Sequence, residues 1–241
     1  MSALAERIAV ARRALHQAHH ATGLLQAPTE SLTRSHLACV STGISTLDES
    51  LGGGLMAGAL YGLEGERSSG RLSLSLAWLL AATQRFASPV AFIDACDALD
   101  PSSVSPALRA RLLWIRAKSD LDAMRCLEHL LEGEGFAMAC CYLVDQPQSK
   151  RASNERAVRA GHWLRVQRRA EQAQCTVLAV TDRHDLRAPA SLGQATFATR
   201  AEPARWGRSA VLDQRPITVT LARSRTSSGW SPPAPVTLHA P

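Results

Sequence analysis

Eight consecutive residues, Gly65-Glu66-Arg67-Ser68-Ser69-Gly70-Arg71-Leu72, have the frame of a phosphate-binding loop, G-x-x-x-x-G-K-[ST]. In that frame the glycine-rich backbone wraps phosphate oxygens with its N–H groups. The lysine reaches the β- and γ-phosphates, and the hydroxyl holds Mg²⁺. Here both glycines keep their spacing, but Arg71 stands in the lysine position and Leu72 in the hydroxyl position. Arg71 keeps the positive charge on a planar fork that is bulkier than an ammonium. Ser73 supplies a hydroxyl one residue late, about 100° around a helix from Leu72. The segment is either a weak nucleotide site that draws on a helix N-terminus or a relic turn. Efficient Mg²⁺-dependent hydrolysis is expected of neither.

A loop of this kind needs a strand before it and a helix after it, and the flanking pattern predicts both. Ala59 to Leu63 reads as a strand, and Ser69 to Gln84 as a helix with Leu72, Leu76, Leu79 and Leu80 on its buried side. Val90 to Asp94, Ala137 to Asp145, Thr176 to Val180 and Ile217 to Leu221 read as further strands. The nearly unbroken apolar run from Ala137 suits a strand covered on both faces. Ala107 to Ile115 and Leu121 to Leu131 add helix and strand content, and Ser153 to Gln174 reads as a long helix. Strands alternating with helices predict an α/β fold with a mostly parallel sheet and right-handed crossovers.

The ends differ from this core. Residues 3 to 21 read as a thin-faced helix, with Leu4, Ile8, Ala11, Leu15 and Ala18 at helical spacing. Residues 22 to 38 suit a linker. The expected organisation is an N-terminal helix and linker (1–38), a core (39–228) and a Pro-rich, loosely attached tail (229–241). His16, His19 and His20 share one helical side without a carboxylate, and no metal site is expected there.

The chain has 241 residues, of which 46% are hydrophobic and 20% charged, as in a globular domain. No apolar run is long enough to span a membrane, and no secretory leader is visible. The six cysteines form no C-x-x-C pair, which points to reduced, buried thiols and a cytoplasmic location. The formal charge is +6, and all but two of the 27 basic residues (Lys118 and Lys150) are arginine. That balance suits a nucleic acid or an acidic protein partner, or it reflects only a G+C-rich coding sequence.

Two stretches carry a family resemblance. Ser41-Thr42-Gly43-Ile44-Ser45-Thr46-Leu47-Asp48, followed by Leu51-Gly52-Gly53-Gly54-Leu55 and Gly58, is similar to the lead-in to the nucleotide loop of RecA-family recombinases. Phe92-Ile93-Asp94-Ala95-Cys96-Asp97-Ala98-Leu99-Asp100-Pro101 resembles the segment just after the second core strand of that family. The resemblance covers roughly residues 39 to 225 and implies a RecA-like three-layer core.

It also implies where catalytic groups would sit. The family's water-activating glutamate falls at Cys96, and a thiol cannot replace a carboxylate there. Losing such a base typically costs about 10²–10⁴-fold in rate. Asp97 is expected to point elsewhere, because neighbouring side chains alternate in an extended segment. Asp145 is either the aspartate of the second nucleotide motif or a strand-end cap. The family's γ-phosphate-sensing glutamine is replaced in Val180-Thr181-Asp182-Arg183, where Asp182 would repel a triphosphate. The two DNA-gripping loops of recombinases are short here, at about 146–153 and 183–193.

Basic residues cluster nonetheless. Lys150, Arg151, Arg156, Arg159, Arg165, Arg168 and Arg169 line or flank one helix, with Ala157, Ala160 and Leu164 assigned to its inner side. They form either a DNA or acidic-partner surface or a solvated helix face. Trp206 and Trp230, beside Arg205, Arg208 and Arg225, either stack on bases or pack internally.

Length, layout and the altered loop together resemble ImuA-type proteins. The resemblance implies a non-enzymatic accessory of translesion synthesis in the SOS response, with RecA, ImuB and a DnaE2-type polymerase as partners. Direct contact with single-stranded or damaged DNA, and residual weak ATP binding, stay open. The alternatives are a DNA-dependent ATPase or recombination regulator with an unconventional nucleotide site, and a SulA-like cell-division inhibitor.

Overall fold

The computed structural model describes residues 39–133, 135–143, 158, 160–181, 194–201, 205–206, 212–214, 217–226, 229–231 and 234–238. The expected N-terminal helix and linker lie outside the described residues.

The chain enters through a short ribbon, β1 (Cys39–Val40) paired antiparallel with β2 (Leu55–Met56), with α1 (Ser45–Ser50) between them. Asp48 knots this lead-in: its carboxylate accepts from Ser41 Oγ at 2.6 Å, Thr42 N at 2.8 Å and Thr42 Oγ1 at 2.7 Å. Gly54, at φ +121°, lets the backbone approach Val40 so closely that a Cβ would lie 2.3 Å from the Val40 carbonyl oxygen.

The core then runs β3 (Leu60–Gly65), α2 (Arg71–Phe86), β4 (Val90–Asp94), α3 (Pro106–Arg109), β5 (Leu112–Arg116), α4 (Asp120–Leu131), β6 (Met138–Tyr142), α5 (Ala160–Ala173) and β7 (Thr176–Thr181). It continues with β8 (Ala195–Ala201), β9 (Arg205–Trp206), β10 (Leu212–Gln214), β11 (Ile217–Thr226), β12 (Gly229–Ser231) and β13 (Ala234–Leu238). The main sheet has nine strands in the order β12-β11-β8-β3-β7-β6-β4-β5, with β13 also on β11. From β5 to β8 every pairing is parallel, and β11 with its neighbours is antiparallel.

Helices cover both faces, and the pleat of β6 shows how. Cys140 hydrogen-bonds Ser75 of α2, while Cys141 lies near Asp120 and Cys126 of α4 on the other side. Adjacent residues of a strand point to opposite faces, so the two cysteines mark the two layers. Val90–Asp94, Met138–Tyr142 and Thr176–Thr181 are buried throughout, as strands covered on both sides must be. Trp78 on α2 is fully buried, donates Nε1–H to Thr42 O at 3.0 Å and meets Phe197 edge-on at 5.1 Å. It ties the lead-in to the sheet.

Three expectations are corrected. Helix α2 starts at Arg71 rather than Ser69, because Ser68 (φ +61°) and Gly70 (φ +85°) hold left-handed conformations that cannot continue a helix. The tail is not detached: β13 pairs with β11 from Ile217↔Leu238 to Leu221↔Ala234. Pro235 is tolerated there because β13 is an edge strand. On α5 the buried residues are Trp163, Val166 and Ala170, while Leu164, assigned inward from sequence, is 38% exposed.

Candidate nucleotide-loop site

The loop sits where β3 hands over to α2, at the carboxyl ends of the parallel strands, the usual ligand crevice of an open α/β sheet. Glu66, Arg67 and Ser68 are exposed, Gly65 and Gly70 half-buried, and Ser69 and Arg71 buried. Two left-handed residues, Ser68 and Gly70, bracket Ser69, whose N–H donates to Glu66 O at 3.1 Å and closes a tight turn. No side chain caps α2, so its first N–H groups face the crevice end of the helix without a capping acceptor.

Both glycines are required by close approach. A Cβ on Gly65 would lie 2.4 Å from Thr199 Oγ1, and one on Gly70 would lie 2.0 Å from Ile217 Cδ1. The loop is therefore pressed against β8 and β11. Ser69 Oγ and Thr199 Oγ1 hydrogen-bond at 2.8 Å, and Thr199 Oγ1 also donates to Glu64 O at 3.2 Å. Thr199 and Ile217 lie far along the chain, and nothing in their local sequence marks them as loop partners.

Arg71 is 3% exposed, and its Nη1 is buried without a hydrogen-bond partner. Its charge is felt at Tyr142, on the carboxyl end of β6. Burial pushes the Tyr142 phenol up to about 12, and the Arg71 guanidinium partly offsets that rise. Leu72 is half-buried and Ser73 is exposed on the helix flank. The Ser75 hydroxyl is taken by Arg71 O at 2.7 Å.

The segment after β4 is held by its own carboxylates. Asp94, 1% exposed, accepts N–H groups from Cys96 (3.0 Å), Ala98 (3.1 Å) and Leu99 (3.0 Å). This folds the backbone into a tight turn, with Asp97 at φ +55°. Cys96 is buried against the chain, its Sγ 3.8 Å from Tyr142 O. Asp97 does point away, pairing with Arg116 at 2.6 Å, although a turn rather than strand alternation directs it. Asp100 takes Ser102 Oγ at 2.7 Å and Ser102 N at 2.9 Å, and these bonds hold its carboxyl below the ordinary range. Each carboxylate of the segment thus has a partner of its own, and Cys96, where the resemblance places a water-activating base, is a buried thiol.

Asp145, Asp182, Lys150, Arg151, Arg156 and Arg159 lie outside the described residues, as do both short loops. The remaining basic residues are divided. Arg165 donates to Glu128 Oε1 at 3.0 Å, and Arg169 pairs with Glu128 at 3.6 Å and Glu132 at 3.1 Å. Those two arginines join α5 to the C-terminal end of α4 through partly exposed pairs, while Arg168 is exposed. Among the described residues, no cluster of three or more His, Cys, Asp or Glu side chains could hold a metal ion. No described helix is long and apolar enough to cross a membrane.

The resemblance to RecA-family proteins implies a nucleotide bound with Mg²⁺, and the two halves of that ligand fare differently here. A phosphate group matches two features in charge, the uncapped start of α2 and the unpartnered Arg71 Nη1. The metal does not fit at its usual side-chain position, because Leu72 offers no oxygen.

Comparison with known proteins agrees with this geometry. Residues 9–110 match the model of the RecA N-terminal domain. Protein RecA of Synechocystis sp. is 45% identical over 69 residues, covering 29% of this chain and 19% of the relative. Protein RecA of Trichodesmium erythraeum is 43% identical over 70 residues, with the same 29% and 19% coverage. The matched segment thus spans about a fifth of the length of these relatives. The crystal structure of the RadB recombinase superposes with a TM-score of 0.57 at 16% identity, covering 80% of this chain and 99% of that one. The chain has a RecA-like fold, and its residues 9–110 are similar to the RecA N-terminal domain.

Proposed function

We propose that this chain is a non-hydrolysing, RecA-like accessory protein of error-prone translesion synthesis in the SOS response, working through contacts with RecA, with ImuB or with their error-prone polymerase. The observation that carries this reading is Cys96, a buried thiol at the position where the RecA resemblance calls for a glutamate. A thiol pressed on the Tyr142 carbonyl cannot take a proton from an attacking water as a carboxylate does. Leu72 removes the usual side-chain oxygen for the metal, which weakens turnover further. A fold kept with its cycle disabled suits a protein that binds active relatives and does not power their work.

ATP hydrolysis with Mg²⁺ and single-stranded DNA, measured beside an Arg71→Ala variant, tests the proposal. The expected result is no turnover above the variant, together with retention of purified RecA or ImuB by the immobilised chain. Turnover that disappears in Arg71→Ala would overturn it and favour a working ATPase with unconventional residues.

A further inference from the structure

We infer that the loop between β3 and α2 is the buttress of the β9–β10 hairpin, so that loop and hairpin form one conformational unit. The inference goes beyond the proposed function and does not depend on it.

The sheet leaves one side of β8 to be filled. The ladder between β3 and β8 ends at Gly65↔Thr199, where β3 itself ends. Strand β8 runs on to Ala201, paired with β11 through Thr218↔Arg200 and Ile217↔Ala201. On its other side, past Thr199, β8 has no neighbouring strand among the described residues. This crest carries the hairpin, because β9 and β10 are inserted between Ala201 and Ile217 and pair with each other. Strand ends without a neighbour open easily, with little contact to hold them.

The loop stands on that side. Ser69 and Thr199, 2% and 5% exposed, hydrogen-bond through their hydroxyls at 2.8 Å. Thr199 gives its one hydroxyl proton to Glu64 O at 3.2 Å, so Ser69 is the donor and Thr199 the acceptor. One residue on, Gly70 is seated against Ile217, where a Cβ would lie 2.0 Å from Cδ1. The loop therefore touches both strands of the crest, one by a polar contact and the other by an apolar one. Both contacts lie at the end from which the hairpin leaves.

The buttress is itself firmly held. Ser69 N–H is taken by Glu66 O at 3.1 Å, and Gly70 O accepts from Leu74 N–H at 2.9 Å as α2 begins. Two turns along α2, the fully buried Trp78 meets Phe197 of β8 edge-on at 5.1 Å. The loop and its helix thus grip β8 at two levels, Phe197 and Thr199, and fix where its end points. Coupling of this kind is reciprocal: whatever displaces the crest loosens the loop, and whatever opens the loop frees the hairpin.

Hydrogen–deuterium exchange of the full chain, read by peptide, tests this. Thr199→Val keeps the shape, removes the bond and leaves the Ser69 hydroxyl stranded in a buried site. It should speed exchange over residues 200–218 by about two- to tenfold, the range of one net hydrogen bond. Strands β4 and β6 should exchange as in the parent. Ser69→Ala should act on the same residues less strongly, since Thr199 keeps its bond to Glu64 O. The double variant should be no faster than Thr199→Val alone, because both changes remove one bond. From the other side, Ile217→Ala should speed exchange over residues 66–70. Parent-like exchange over 200–218 in Thr199→Val would overturn the inference. So would an equal acceleration in β4 and β6, which would make the bond a contributor to overall stability alone. Unaltered loop exchange in Ile217→Ala would also overturn it, since loop and hairpin would then move separately.

Discussion

Gly70 shows how much one residue of the loop carries. It caps α2 at φ +85° and touches Ile217 on the far wing of the sheet, so an added methyl meets two obstacles at once. The left-handed backbone alone costs a non-glycine residue about 1–3 kcal/mol. Gly70→Ala should therefore lower the melting temperature by several degrees, at about 2–4 °C per kcal/mol for a chain of this size. Pairing it with Ile217→Ala relieves the contact but not the dihedral, so calorimetry should show partial recovery. Full recovery would mean that the clash alone matters. The two loop glycines were legible in the sequence from their spacing. Their partners were not, since a threonine in β8 and an isoleucine in β11 become loop residues only once the sheet is assembled.

At the scale of elements, the sequence exposed what is apolar and continuous and hid what is small and alternating. Strands β4, β6 and β7 were legible because strands buried on both faces read as unbroken apolar runs. Strand β8, Ala-Thr-Phe-Ala-Thr-Arg-Ala, was missed because its buried positions include Thr196 and Thr199, which carry no hydrophobic signal. Helix α5 was legible as a helix but its inward face was not, since Trp163 and Leu164 are adjacent and equally apolar. Its arginines posed the same problem, because a charge census cannot show that Glu128 on α4 gathers Arg165 and Arg169. These are partly exposed pairs, each worth no more than about 1 kcal/mol. Glu128→Gln should leave the melting temperature nearly unchanged while releasing Arg165 and leaving Arg169 only its pair with Glu132. The variant should then elute from a heparin column at higher salt than the parent, and identical elution would mean that the pairs do not restrain the arginines.

For the whole molecule, the buried thiols and phenols set an alkaline limit. Burial raises Cys141 and Cys140 well above the ordinary thiol range and Cys175 to about 12, and it lifts Tyr61 to about 12 as well. These groups stay protonated in the folded chain at a pH where the unfolded chain has released its protons. The unfolded state then binds fewer protons than the native one, so stability falls as pH rises. The loss begins near the unfolded thiol range, at about pH 8.5–9, and continues toward about pH 12. Each thiol contributes a slope of about 1.4 kcal/mol per pH unit within that window. Urea midpoints at pH 7.5, 9.5 and 10.5 should fall progressively, and Cys175→Ala should flatten the decline. A midpoint independent of pH up to 10.5 would show that these thiols ionise freely in the native protein.

The bond between Ser69 and Thr199 spans 130 residues of chain, and it has a consequence for the order in which the protein is made. The loop and its helix leave the ribosome early, flanked by local structure that can already begin to form. Their shape is completed only when β8 and β11, near the other end, have been synthesised and added to the sheet. Contacts this distant in sequence close late, since the intervening chain must first lose its freedom. The final shape of the loop is thus among the last features of the nascent protein to form, although its residues are among the first of the core to be translated.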